Sequence, residues 1–119
     1  MKDENPVLVK SYAFSKRIIF LYKQLIRERQ PRSLADQLLR CGTSIGANAE
    51  EAVGAFSRRD FAAKCSIAYK EAREAYYWLR LLRDTECLDV KLADSFSNDA
   101  EELKRILASS IISTRTPSE

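Results

Sequence analysis

Lys16, Phe20, Lys23 and Arg27 stand four, three and four residues apart. On a helix that spacing lines them along one side, with Arg17 and Lys10 nearby. Lysine and arginine bind phosphate by charge, and an aromatic ring set among them offers its face to a nucleobase. Lys16, Arg17, Phe20, Lys23 and Arg27 are therefore candidates for contact with RNA or DNA; the plainer reading is a solvated helix face with Phe20 packed on a neighbour. Arg58 and Arg59 join the candidates. Cations in the first turn of a helix face the positive end of its macrodipole, so some other use is expected of them.

Other chemistry finds little to work with. The 119-residue chain has no histidine, which removes ordinary serine or cysteine triads and histidine-based metal sites. Two carboxylate pairs occur, Glu50–Glu51 and Glu101–Glu102, but neighbours on a helix point about 100° apart, which does not poise an acid against a base. Cys41, Cys65 and Cys87 lie far apart and fit neither zinc spacing nor a disulfide framework. Each borders an apolar stripe, as a core thiol does. The expectation is a protein without catalysis, cofactor or metal, in a reducing cytoplasm. The opening "MKDENPVLVK" contains no long apolar run, so neither a secretory leader nor a membrane span is expected.

The elements that must position these residues follow from periodicity. Three glycines and three prolines in 119 residues leave little punctuation for a many-stranded sheet and favour long helices. A single domain over 1–119 is expected, with helices near 6–30, 34–56, 58–86 and 90–112 and a disordered tail at 113–119. Asn5–Pro6 reads as N-cap and first helical residue, Ser33 as the second cap, Ser57 with Asp60 as a capping box and Asp89 as the last cap. The apolar stripes are Leu8, Ser15, Ile18, Ile19, Tyr22, Leu25 and Ile26; Leu34, Leu38, Cys41, Ile45, Ala49, Ala52, Val53 and Phe56; Phe61, Cys65, Ala68, Ala72, Tyr76 and Leu79; and Leu92, Phe96, Leu103, Ile106, Leu107 and Ile111. Short connections favour an all-α, antiparallel up-down-up-down four-helix bundle. Residues 1–32 carry eight basic and three acidic groups, and residues 57–88 seven and five, so the net charge of +3 is unevenly spread.

Two features exceed what a simple bundle needs. In "RCGTSIGANAEEAVGAF", glycines interrupt a helical stripe, although each costs about 1 kcal/mol against alanine. Gly42 and Gly46 share one side, where they admit a neighbouring backbone or bulky group; a phosphate-cradling loop would need a lysine and a spacing that are absent. Ser44, Asn48 and Glu51 form a polar row beside them, either a solvated edge or a hydrogen-bonded row facing Lys70 or Arg73. The third helix also has a second apolar stripe of Ala63, Ile67, Trp78 and Leu81, interspersed with Lys70, Glu71 and Glu74. An exposed patch containing tryptophan suits a self-interface, with Ile67, Lys70, Glu74, Trp78 and Leu81 as its candidates. The alternative is that helix one or four covers it.

The run "TSIGANAEEAVGAFSRRDFAAKCSIAYKEAREAYYWLRLL" resembles the bacterial four-helix-bundle proteins named for 23S rRNA intervening sequences. The likeness runs through "SIGAN" with Glu51, "SRRDF" and "SIAYKEAREAYYWLRLL". Ala52 departs from it, because many relatives have glycine after the glutamate. The resemblance implies a four-helix bundle and a homopentameric ring, with no catalytic residues. A related branch serves as accessory protein of diversity-generating retroelements, where a basic ring binds nucleic acid and a reverse transcriptase. The expectation is a ring-like homo-oligomer that binds RNA or DNA through repeated basic faces. The alternative is a protein-interaction scaffold or accessory subunit without nucleic-acid contact.

Overall fold

The computed structural model describes residues 5–115. It consists of four helices, α1 (Pro6–Arg27), α2 (Arg32–Val53), α3 (Arg58–Asp84) and α4 (Val90–Arg115). There is no strand among the described residues.

Local signals set most of the helix ends. The Asn5 side chain accepts a hydrogen bond from the Val7 amide at 2.9 Å, with Pro6 in the first turn. Ser57 Oγ accepts from the Asp60 amide at 3.0 Å, and Asp89 Oδ2 from the Leu92 amide at 3.2 Å. Each satisfies an amide that the helix leaves without a partner. Ser33 is not a cap: α2 begins at Arg32, behind Pro31, with no side-chain cap.

α1 stops at Arg27 rather than 30, and α3 at Asp84 rather than 86, because Arg29 and Glu86 take positive φ of 59° and 65°. The following amides then turn back, Gln30 N–H to the Leu25 carbonyl and Cys87 N–H to the Leu82 carbonyl. This is the usual glycine closure of a helix made without glycine. α4 continues to Arg115, so 113–115 are helical; the rest of the expected tail, 116–119, lies outside the described residues.

α1 packs on α2, α2 on α3, α3 on α4, and α4 closes back on α1 more sparsely. One end of the molecule gathers Pro6, Val53, Phe61 and Ser110 around a cavity of about 230 Å³. The core combines bulky residues, among them Phe14, Ile18, Leu25, Leu38, Ile45, Leu79, Leu82, Leu103 and Leu107, with Ala35, Ala49, Ala68, Ala72, Ala75, Ala93 and Ala100. Small residues let helix axes approach while the large ones fill the gaps.

The buried side of α2 is rotated from its expected stripe. Gly42 and Gly46 are buried within it, while Val53 and Phe56 are exposed. Phe56 was expected in the core, but the helix ends at Val53 and the chain leaves its helical phase. The phenyl is 104% exposed.

Candidate functional site

Gly42 and Gly46 have a structural use. A methyl group on Gly42 would stand 2.9 Å from Ile18 Cγ1 and Cγ2, and one on Gly46 would stand 3.3 Å from Ser15 Oγ and 3.4 Å from the Ser11 carbonyl oxygen. Fully buried Ile18 therefore occupies the space that a side chain at 42 would fill. Gly54 caps the end of α2 and meets only its own helix carbonyls.

The polar row beside the glycines is satisfied within the chain. Asn48 Nδ2 donates to the Ser44 carbonyl at 2.9 Å and to Ser44 Oγ at 3.0 Å. Glu51 is paired with Lys64 Nζ at 2.7 Å. The partner on α3 is thus Lys64 rather than Lys70 or Arg73, and its ammonium pKa is raised chiefly by that hydrogen bond.

The second stripe of α3 divides. Trp78 is half-buried against the core, and its Nε1 donates to Glu74 Oε2 at 3.1 Å. Arg40 of α2 completes the cluster by pairing with Glu74 and, at 3.3 Å, with Glu71. Burial alone would raise the Glu74 carboxyl pKa, but hydrogen bonds from Trp78 and Arg40 outweigh it and hold it below the ordinary value. Leu81 is half-buried, while Ile67 is exposed. Lys70 points elsewhere, into a groove between α3 and α4. Larger apolar exposure lies elsewhere: Val9, Tyr12 and Val53 border a groove between α1 and α2, Phe20 lies on the α4 side with Leu92 and Phe96, and Ile19 and Phe56 are also exposed.

The basic residues also divide. Lys16, Lys23 and Arg27 are exposed on α1 with Phe20, which is 66% exposed. Lys23 Nζ lies 5.7 Å from the Phe20 ring centre, and Lys16 Nζ lies 5.1 Å from that of Tyr12. Arg17 leaves this row. It pairs with Asp99, donates to Ser95 Oγ at 3.2 Å and stacks 4.0 Å from the Phe96 ring centre. Lys10 is paired with Glu102 at 3.1 Å. Both neutralised cations thereby fasten α1 to α4.

Arg58 and Arg59 are exposed at the start of α3, and Arg58 donates to the Thr114 carbonyl at 3.4 Å. They belong to the α3–α4 side and do not extend the α1 row. Arg80 and Arg115, also exposed, were missed by sequence reasoning, and exposed Arg73 was considered only as a partner for the polar row of α2.

Among the described residues, no group of three or more acidic, cysteine or histidine side chains converges as a metal site would require. Cys41 is buried, and desolvation pushes its thiol up to about 12. Burial also raises the Cys65 thiol. Neither is poised as a thiolate nucleophile.

Four helices with an alanine-rich core and two exposed basic surfaces define the class of this protein, a helical bundle. The chain belongs to the family described as 23S rRNA-intervening sequence protein, which matches residues 3–109. It is also similar to a crystal structure of a protein of unknown function from the S23 ribosomal protein family of Bacteroides thetaiotaomicron. The two are 47% identical, with a TM-score of 0.86 over 88% of this chain and 97% of that one. No curated protein matches the chain. No helix among the described residues is long and apolar enough to cross a membrane.

Proposed function

We propose that this protein is a non-enzymatic, cytoplasmic helical bundle that assembles into a ring, a homopentamer, and binds RNA or another nucleic acid through repeated basic faces. The order of the interhelical contacts supports an antiparallel up-down-up-down course. Ile18 meets Gly42 while Ser15 meets Gly46, Arg40 meets Glu74 while Glu51 meets Lys64, and Arg83 meets Asp94 while Arg58 meets Thr114.

The observation that carries the nucleic-acid reading is the α1 row. Lys16, Lys23 and Arg27 flank the exposed Phe20 ring, with no ion-pair partner among the described residues. A row this short binds weakly alone, and repetition round a ring turns it into a large local field and a multivalent grip. Light-scattering mass, with and without RNA, tests assembly and binding together. The expected result is a multiple of the 13.6 kDa chain that gains mass with RNA and releases it steeply as salt rises. A single-chain mass, or binding indifferent to salt, contradicts the proposal.

The apolar edge of Val9, Tyr12 and Val53 favours a second reading, a scaffold or accessory subunit that docks another protein, such as a reverse transcriptase. Partner binding unaffected by Lys16→Glu and Lys23→Glu would support it.

A further inference from the structure

Arg59, Ser66, Lys70, Arg73, Tyr77 and Arg80 follow one another along α3 at spacings of seven, four, three, four and three. They share its outward side, opposite the buried Ala68, Ala72, Ala75 and Leu79. Beside this stripe, a groove of about 520 Å³ opens between α3 and α4. Lys70, Arg73 and Arg115 line it together with Tyr69, Ala108 and Ile111. Neither these three cations nor Arg59 and Arg80 have an ion-pair partner among the described residues. The Arg80 guanidinium lies 4.7 Å from the Tyr76 ring centre, and Tyr77 beside it is 48% exposed.

We infer that the α3–α4 groove is a single-stranded nucleic-acid site separate from the α1 row, an inference that rests on the nucleic-acid reading above. Three cations left unneutralised call for an anionic occupant. The aromatic and aliphatic groups beside them call for one that also carries flat apolar surface. A duplex offers phosphates but keeps its bases stacked inside, so these groups would meet nothing. A single strand presents both, with phosphates for Lys70, Arg73 and Arg115 and unstacked bases for Tyr69 and Ile111 in the groove and for exposed Tyr77 farther along α3. α1 and α3 are not adjacent helices, so the two surfaces occupy different flanks of the subunit.

The test uses the full chain and a fluorescein-labelled 16-nucleotide RNA of mixed sequence, presented single-stranded, annealed to its complement, or as an abasic strand of equal length. Anisotropy is followed across salt concentrations. Lys70→Gln with Arg73→Gln should weaken single-strand binding about tenfold and flatten the log–log salt slope by about 1.4, or 0.7 for each phosphate no longer neutralised. The duplex and the abasic strand should bind the parent several-fold more weakly than the single strand. Circular dichroism and melting check that the double variant is folded; should it not be, Arg115→Gln should still weaken binding about threefold.

If the folded double variant binds like the parent while Lys16→Gln with Lys23→Gln loses affinity, the groove is overturned and the nucleic-acid reading stands. Equal binding of duplex or abasic strand overturns the single-strand assignment. Displacement of RNA by polyglutamate at equal charge concentration overturns it in favour of an acidic protein partner. No binding of any RNA by the parent removes both the inference and the reading beneath it.

Discussion

α1 is held by two neighbours in two different ways. Against α2 it relies on shape, with Ile18 occupying the space above Gly42 and Ser11 and Ser15 lying close over Gly46. Against α4 it adds charge at the rim, with Lys10 on Glu102 and Arg17 on Asp99 and over the Phe96 ring, outside a buried edge-to-face contact of Phe14 on Phe96. The first seam is intolerant of added volume, with a polar contact across it, Tyr22 Oη donating to Asp36 Oδ1 at 2.8 Å. The rim of the second responds to ionic conditions, because its pairs are partly exposed. A helix gripped rigidly on one side and adjustably on the other places the Lys16–Arg27 row on a firm base beside a softer joint.

Gly42→Leu should break that comparison most severely, costing about 3 kcal/mol by overpacking against Ile18; urea unfolding measures it. Gly46→Leu should cost less, about 1–2 kcal/mol, because its nearest neighbours are 3.3 Å away and farther. Equal costs at the two positions would mean that the seam yields uniformly. Arg17→Ala should cost about 0.5–1 kcal/mol by removing the ion pair and the stacking on Phe96. That cost should shrink in high salt, whereas the glycine costs should not.

The smallest effect at neutral pH concerns the α2–α3 cluster. The Glu74 carboxyl has a folded pKa below its ordinary value of 4.5. Its stabilising contribution is therefore present above that value and is lost as pH falls through the lower folded one. Glu74→Gln should remove that acid-dependent loss and flatten the stability curve below about pH 4.5. An unchanged acid limb would place the sensitivity elsewhere.

What could be read from the sequence was local or periodic. The caps at Asn5, Ser57 and Asp89 act within three residues, and their residue types announce them. Four helices follow from apolar spacing alone. The ends of α1 and α3 were obscured because Arg29 and Glu86, rather than glycine, take the left-handed turn.

Phe56 misled because an apolar residue continuing a stripe looks buried until the helix ends beneath it. Arg17 and Lys10 looked like members of a basic face, and their neutralisation depends on Asp99 and Glu102, which only the fold brings near. The α3 stripe was legible in its spacing, yet its cations alternate with tyrosine and with carboxylates that turn toward α2. Attention to the apolar positions hid it.

Pro6 and Ser110 line the same end cavity, so the described chain leaves and returns at one place. A donor dye attached near position 5 and an acceptor near 115 would begin as neighbours across the charged joint. Energy transfer between them would then report that joint parting in real time.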